Sequence, residues 1–293
     1  MQSFLEIFDI YLLEAIVNGI LLGGLLALLA LGLNLIFGVI DVTWICYAEL
    51  VMIGMYGMYF LVQYYGISYF LAAPVAIALV AILGALLHFL VIAPLLSGPP
   101  INQLLATGGV LFVLQSFATV AFGIDFRNLG IRLPVLAFGE MHFSYSRLLS
   151  FAAALIGMVT VYLFMTRTYT GTAIRAISQD RQIMPLMGVD TKRIYLITSA
   201  LGGALAGLAA CLLVLQYDVH PFVGLSFGPI TFLICVLGGL GNFVGGFIAA
   251  FVFAEIISLG GLFSDLEWGY VLAFAFFIVM MFIRPAGLLT RRS

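Results

Sequence analysis

Residues 12–38 read LLEAIVNGILLGGLLALLALGLNLIFG, a run in which Glu14 is the only charge. A helix rising about 1.5 Å per residue needs about 20 apolar residues to cross a hydrocarbon core about 30 Å thick. This run is long enough, and it is greasy on every face, so it cannot be the amphipathic stripe of a soluble domain. The rest of the chain agrees. Apolar residues make up 64% of the 293 and charged residues 8%, and the mean hydropathy is +1.24. Soluble domains carry about 25% charged residues. The chain is read as dissolved in lipid, and its net charge of −2 gives no case for nucleic acid.

Further candidate spans lie at 46–63, 68–93, 101–123, 148–167, 192–216, 225–241, 243–260 and 268–284. The Gly-rich runs near 225–260 also admit one span plus a re-entrant piece, so eight or nine crossings are expected. Nothing resembles the short alternating segments of a barrel, and helices are the default. The fold class is therefore an all-α polytopic membrane protein with some helices interrupted, forming a single domain over 1–293. The opening stretch carries Glu6, Asp9 and Glu14 but no Lys or Arg. It lacks the basic region of a signal peptide and is read as a retained span.

Against this background one stretch stands out. GTAIRAISQDRQIMPLMGVDTKRIY, residues 171–195, holds Arg175, Asp180, Arg181, Asp190, Lys192 and Arg193. Basic residues stay on the cytoplasmic side. Arg167, Arg175, Arg181, Lys192, Arg193, Arg284, Arg291 and Arg292 fall on one face when spans are counted. Arg127, Arg132 and Arg147 sit in the loop 124–147 on the other. With nine spans the N-terminus lies outside (periplasmic) and the C-terminus in the cytoplasm. The charged segment is then cytoplasmic and lies at the membrane surface. Gly171 and Gly188 punctuate it, and Asp180 suits the N-cap of a following turn. Pro185 forbids one long rod, so two short helical pieces are expected. A loop that only sets topology needs a few basic residues. This one also carries Ile174, Ile177, Ile183, Leu186 and Met187, which suit docking on another protein.

No catalytic constellation is visible. Lys192 is the only lysine and stands in no phosphate-binding loop. His88, His142 and His220 are isolated, and Cys46, Cys211 and Cys235 are too scattered for a metal site or a disulfide framework. Neither a catalytic residue, a metal nor a cofactor is expected on this chain, and it is not read as an enzyme.

Four stretches resemble one family. They are GLNLIFGVI (32–40), GTAIRAISQD with MGVD (171–180, 187–190), VLGGLGNFVGG (236–246) and RPAGLL (284–289). Their order and the hydropathy layout are those of permease subunits of bacterial branched-chain amino-acid ABC importers of the LivH type. The resemblance implies a bacterial inner-membrane importer. Its partners would be a second, LivM-like permease, two cytoplasmic ATPases (LivG- and LivF-like) that carry the ATP and Mg, and a periplasmic binding protein. It also implies that Gly171, Arg175, Ala176, Gln179, Asp180, Met187 and Gly188 contact the ATPase in a coupling segment, 168–191. Where the family commonly has Asn-Phe-Ala-His-Gly-Glu, this chain has WICYAE, Trp44 to Glu49. Met184 and Pro185 stand where small or basic residues are usual.

For the pathway the candidates are Tyr47, Glu49, Gly238, Gly239, Gly241 and Asn242. An intramembrane carboxylate is costly and faces a cavity or a partner, or it is structural, hydrogen-bonded near the interface; Glu49 and Glu255 stand open between these. GGLGNFVGG reads either as close helix packing or as an interrupted helix lining a path. The break FGVIDVTW, 37–44, has the same look and hints at an internal repeat. Trp44, Tyr47, Tyr56, Tyr59 and Tyr65 suit an interfacial belt or packing. Hydrophobic amino acids lead as cargo, ahead of urea, amides or sugars. An ion-driven secondary transporter, which would need ionisable pairs in mid-membrane, and a membrane scaffold are the rival classes.

Overall fold

The computed structural model describes residues 2–131, 134–138, 141–181, 183–263, 266–284 and 287–288, and all statements below concern these. Arg132, Arg291, Arg292 and half of the RPAGLL stretch (285, 286 and 289) lie outside them. Most of the apolar length of the described residues is helical. The helices are α1 (Gln2–Ile40), α2 (Tyr47–Tyr59), α3 (Tyr69–Leu87), α4 (Ala93–Leu95), α5 (Pro100–Phe122), α6 (Tyr145–Arg167), α7 (Tyr169–Gln179), α8 (Thr191–Leu213), α9 (Val223–Gly238), α10 (Phe243–Phe263) and α11 (Leu266–Ile283). Six stretches are long and apolar enough to cross a membrane: Ile10–Ile40, Tyr69–Leu95, Pro100–Phe122, Tyr145–Arg167, Thr191–Leu213 and Phe243–Leu262. Two shorter apolar helices, Val223–Gly238 and Glu267–Ile283, accompany them. The protein is a polytopic, multi-pass membrane protein.

The helices form an inner set and an outer set. In α1, 78% of the apolar window is buried inside the protein, and in α8 67%, against 17% in α5 and in α6. The centre is α1, α2 and α8, closed by α9 and α10, while most of the surface of α5 and α6 is left uncovered by the rest of the chain. With no hydrophobic drive between helices in lipid, close packing decides who neighbours whom. At the α3–α8 crossing, a Cβ on Gly84 would come within 2.8 Å of the Ser199 carbonyl oxygen and 3.1 Å of the Gly203 Cα. The short helix α2 is buried along most of its length and runs on through a π-turn at Phe60–Tyr64.

Loop contacts sort the helix ends onto two faces. On one face, Arg127 and Val219 exchange backbone hydrogen bonds of 2.9 and 2.8 Å. Gln63 Nε2 donates to the Leu129 carbonyl there, and Arg147 Nη1 donates to Asn18 Oδ1 at 2.8 Å. The same loop holds the one departure from an all-helical reading, an antiparallel hairpin of β1 (Val135–Phe138) and β2 (Met141–Ser144). Strand pairing satisfies the backbone of VLAF and MHFS outside any helix. On the opposite face lie the C-terminal end of α1, all of α7 and the loop before α8.

Candidate functional site: the charged segment and a buried cavity

The segment 168–191 folds as two short pieces, as Pro185 requires. α7 begins where the Thr168 hydroxyl accepts from the Gly171 N–H at 3.0 Å. Gly171 lies so close to the α6 backbone that a Cβ would stand 2.5 Å from the Met165 Cα. Gly171, Ala173, Ile174 and Ile177 are buried, and Arg175, Gln179 and Asp180 face outward. Ala176 is half-buried. Asp180 ends α7 and its carboxylate accepts from the Ile183 N–H at 3.1 Å, capping the turn that follows. The second piece is a 3₁₀ turn, Met184–Met187, with Pro185 in its first turn. It is closed by Gly188 at φ +80°, a left-handed conformation that glycine adopts without strain. Asp190 then caps α8 by accepting from the Arg193 N–H at 3.2 Å.

This geometry corrects the docking expectation in part. Ile174 and Ile177 are not surface anchors, because they form the inner face of α7, packed on the protein's own core. The exposed apolar residues are Ile183, Leu186 and Met187, with Leu186 84% exposed.

A contact between residues 140 apart in the chain was not anticipated. Arg181 Nη1 stands 3.2 Å from Asp41 Oδ2 and donates to the Ile40 carbonyl at 3.4 Å. Asp41 follows the last residue of α1 and has φ +61°. Residues 41–44 form no helix, and the chain re-enters as α2 from Tyr47. Thr107 Oγ1 of α5 donates to the Thr43 carbonyl at 3.0 Å and holds this stretch in place.

The same re-entrant stretch lines a cavity of about 340 Å³ between α1, α2, α5 and α9, with Leu33, Trp44, Glu49, Leu104, Gly224 and Phe232 among its walls. Such a volume lies within the range of about 300–1,000 Å³ typical of ligand pockets. Tyr47 borders it too, although its hydroxyl abuts Gly32 of α1. Glu49 is fully buried, and neither carboxylate oxygen has a hydrogen-bond partner among the described residues. A Cβ on Gly224 would fall 2.5 Å from Glu49 Oε1, so the carboxylate lies flat against the α9 backbone. Trp44, Tyr47 and Tyr56 are buried within the protein, which makes them packing residues and not a belt; Tyr65 is exposed.

The Gly-rich candidates are elsewhere. α9 stops at Gly238, and Gly239 and Gly241 have φ +95° and +80°. The Asn242 Oδ1 accepts from the Gly245 N–H at 3.0 Å. Asn34 Oδ1 of α1 accepts from the Gly241 N–H at 3.2 Å, and a Cβ on Gly238 would fall 2.5 Å from the Gly246 Cα. The Leu288 N–H donates to the Leu237 carbonyl at 2.8 Å. Gly238, Gly239, Gly241 and Asn242 thus make a tight turn against the end of α1. None of them lines the cavity that holds Tyr47 and Glu49. Glu255 of α10 lies against Gly19 of α1, also apart from it.

A polytopic helical fold with a break after its long first helix and a capped surface segment can be set beside known proteins. The sequence family described as "Branched-chain amino acid transport system / permease component" matches residues 15–281. The branched-chain amino acid permease BraD of Pseudomonas aeruginosa is 28% identical over 295 residues, covering 95% of this chain and 96% of that protein. LivH of Escherichia coli K12 is 26% identical, with 96% of each chain covered. LivM of the same organism is 27% identical over 89% of this chain and 67% of its own length. The family is a transport component and performs no catalysis. The chain belongs to the family of branched-chain amino acid transport permease components.

Proposed function

We propose that this chain forms half of the membrane pathway of an ATP-driven importer for branched-chain or other hydrophobic amino acids. Its partners in this reading are a second related permease, two cytoplasmic ATPases that bind the ATP and Mg, and a periplasmic binding protein. Family membership implies an ABC transporter complex in general; the particular partners are our reading. The similarity of the chain to both LivH and LivM supports a pair of related permeases.

The observation that carries the proposal is mechanical. The segment with exposed Leu186 and Met187 is tied through Arg181 to Asp41, and the stretch beyond Asp41 walls the cavity. A partner gripping 168–191 would move residues 41–46, and with them the cavity wall. Arg175, Gln179 and Asp180 supply outward polar groups that orient the partner; Ile183, Leu186 and Met187 supply apolar contact. Asp180 and Gly188 fix the shape between them. Gly171 sets α7 tightly on α6, so displacement of α7 passes into the bundle. Alternating access follows if ATP binding draws the two ATPases together.

The whole chain is read as one transmembrane domain with nine crossings: α1, α2, α3–α4, α5, α6, α8, α9, α10 and α11. The loop 124–147 is periplasmic, as is the N-terminal end of α1, and the segment 168–191 and the C-terminus are cytoplasmic. The placement of eight of the eleven basic residues on one face supports this orientation. The two helix breaks pack side by side at Gly38 and Gly241, which supports a repeat of interrupted helices. An ion-driven carrier would want a buried ion pair, and Glu49 has no basic partner among the described residues. Reconstitution of the chain with its candidate partners in liposomes tests the reading. Uptake of leucine, isoleucine or valine should require ATP and the binding protein. Uptake that persists without the ATPases would overturn it.

A further inference from the structure

We infer that the cavity beside Glu49 is a transit site that receives the ammonium group of an α-amino acid with an apolar side chain. This rests on the reading of the chain as an amino-acid permease and goes beyond it, because it places the substrate in the membrane and names the group that meets it.

Three features carry the inference. Glu49 is the one carboxylate among the residues that border the cavity, and no Lys, Arg or His joins it there. Both its oxygens are shut off from solvent and hydrogen-bond to nothing described. A buried carboxylate left without donors costs several kcal/mol, roughly, so it is retained where a partner arrives. The surroundings on α9 are also cut to leave the carboxylate room. Gly224 stands where any side chain would collide with Glu49, and a Cβ on Gly228 would lie 3.2 Å from that of Ala48. The remaining walls, such as Leu33, Leu104, Leu111 and Phe232, are hydrocarbon.

These features select the ligand by its chemistry. The partner of Glu49 must be a donor, and an ammonium offers three N–H groups in a compact head. The α-carboxylate of the same zwitterion cannot pair with Glu49 and has as its donor the Trp44 indole N–H, which is buried on the cavity wall and hydrogen-bonds to nothing described. The apolar walls favour a hydrocarbon tail and offer a sugar few groups to replace its hydration. An ammonium with a branched aliphatic tail satisfies both demands. Tyr47 takes no direct part, since its hydroxyl is turned to Gly32.

The test is a binding series on the assembled complex of both permeases and the ATPases in nanodiscs, without binding protein. Radiolabelled L-leucine is displaced by 3-methylbutylamine, which keeps the ammonium, or by 4-methylpentanoate, which keeps only the carboxylate. The amine should compete and the acid should not. Glu49→Gln should weaken leucine binding about tenfold or more, because it removes a charge-assisted pair. If that variant fails to assemble, the competition on the unaltered complex decides alone. Equal competition by acid and amine, the absence of any saturable leucine site, or unchanged binding by an assembled Glu49→Gln complex would each overturn the inference. Failure of the underlying function would look different: the unaltered complex with binding protein would then import no branched-chain amino acid at all.

Discussion

Replacing Asp41 separates charge from backbone shape at the point where the surface segment meets the pathway. The Arg181–Asp41 pair spans 3.2 Å, but the two side chains are 37% and 57% exposed, so water screens it. Such a pair contributes under about 1 kcal/mol. Asp41 also sits at φ +61°, where Asn and Asp are tolerated and glycine is unstrained. Alanine there would pay about 1 kcal/mol or more. Asp41→Asn therefore loses the pair alone, Asp41→Gly loses the pair but relaxes the backbone, and Asp41→Ala loses the pair and gains strain. Thermal stability should rank Gly at or above Asn, with Ala lowest. Transport coupled to ATP hydrolysis should fall by the same factor in all three, up to about fivefold for about 1 kcal/mol. Arg181→Gln should give the same loss, and adding it to Asp41→Asn should cost nothing more. The assay is amino-acid uptake per ATP hydrolysed in proteoliposomes. Coupling losses that follow the stability ranking, or that add in the double mutant, would show that backbone shape and not the ion pair carries the link.

Two further outcomes follow from the packing and the orientation. Gly245→Ala would drive a Cβ into the Gly238 carbonyl, and overpacking of this kind costs about 1–3 kcal/mol. Gly57→Ala meets nothing within 4 Å and should be neutral or stabilising, a contrast readable by thermal unfolding with a thiol dye on the three buried cysteines. Equal melting of the two variants would refute the close approach at Gly238. For orientation, a cysteine at Phe126 should react with an impermeant thiol reagent on intact cells, and one at Tyr169 should react only after permeabilisation; the reverse pattern would invert the assignment.

Much of the fold was legible because a membrane span announces itself by length and hydropathy. The breaks were legible too: DVTW after α1, and GGLGN between α9 and α10, interrupt runs that are otherwise unbroken. Local caps could be read as well, since Asp180 and Gly188 act through neighbours in sequence. What could not be read was which way a side chain faces. In a chain that is apolar almost everywhere, lipid-facing and core-facing residues have the same composition, so Trp44 and Tyr56 gave no sign of lying inside. The polar segment should have offered contrast, yet Ile174 and Ile177 face inward while Leu186 faces outward, and only the turn that Asp180 caps, ahead of Pro185, separates them. The cavity was out of reach for a different reason. It joins Leu33, Glu49, Leu104 and Gly224 from four helices, and Arg181 meets Asp41 across 140 positions. Glu49 and Arg181 stood out as charges in a greasy chain; their surroundings did not.

The central claim, that the capped surface segment is gripped by a separate ATPase, is tested most directly by the reactivity of a cysteine placed at Leu186. That position is 84% exposed in this chain alone. The account predicts rapid modification in the permease pair, strong protection once the ATPases are bound, and disulfide capture by a cysteine on the ATPase surface. Equal modification in the permease pair and in the working, fully assembled importer would contradict it.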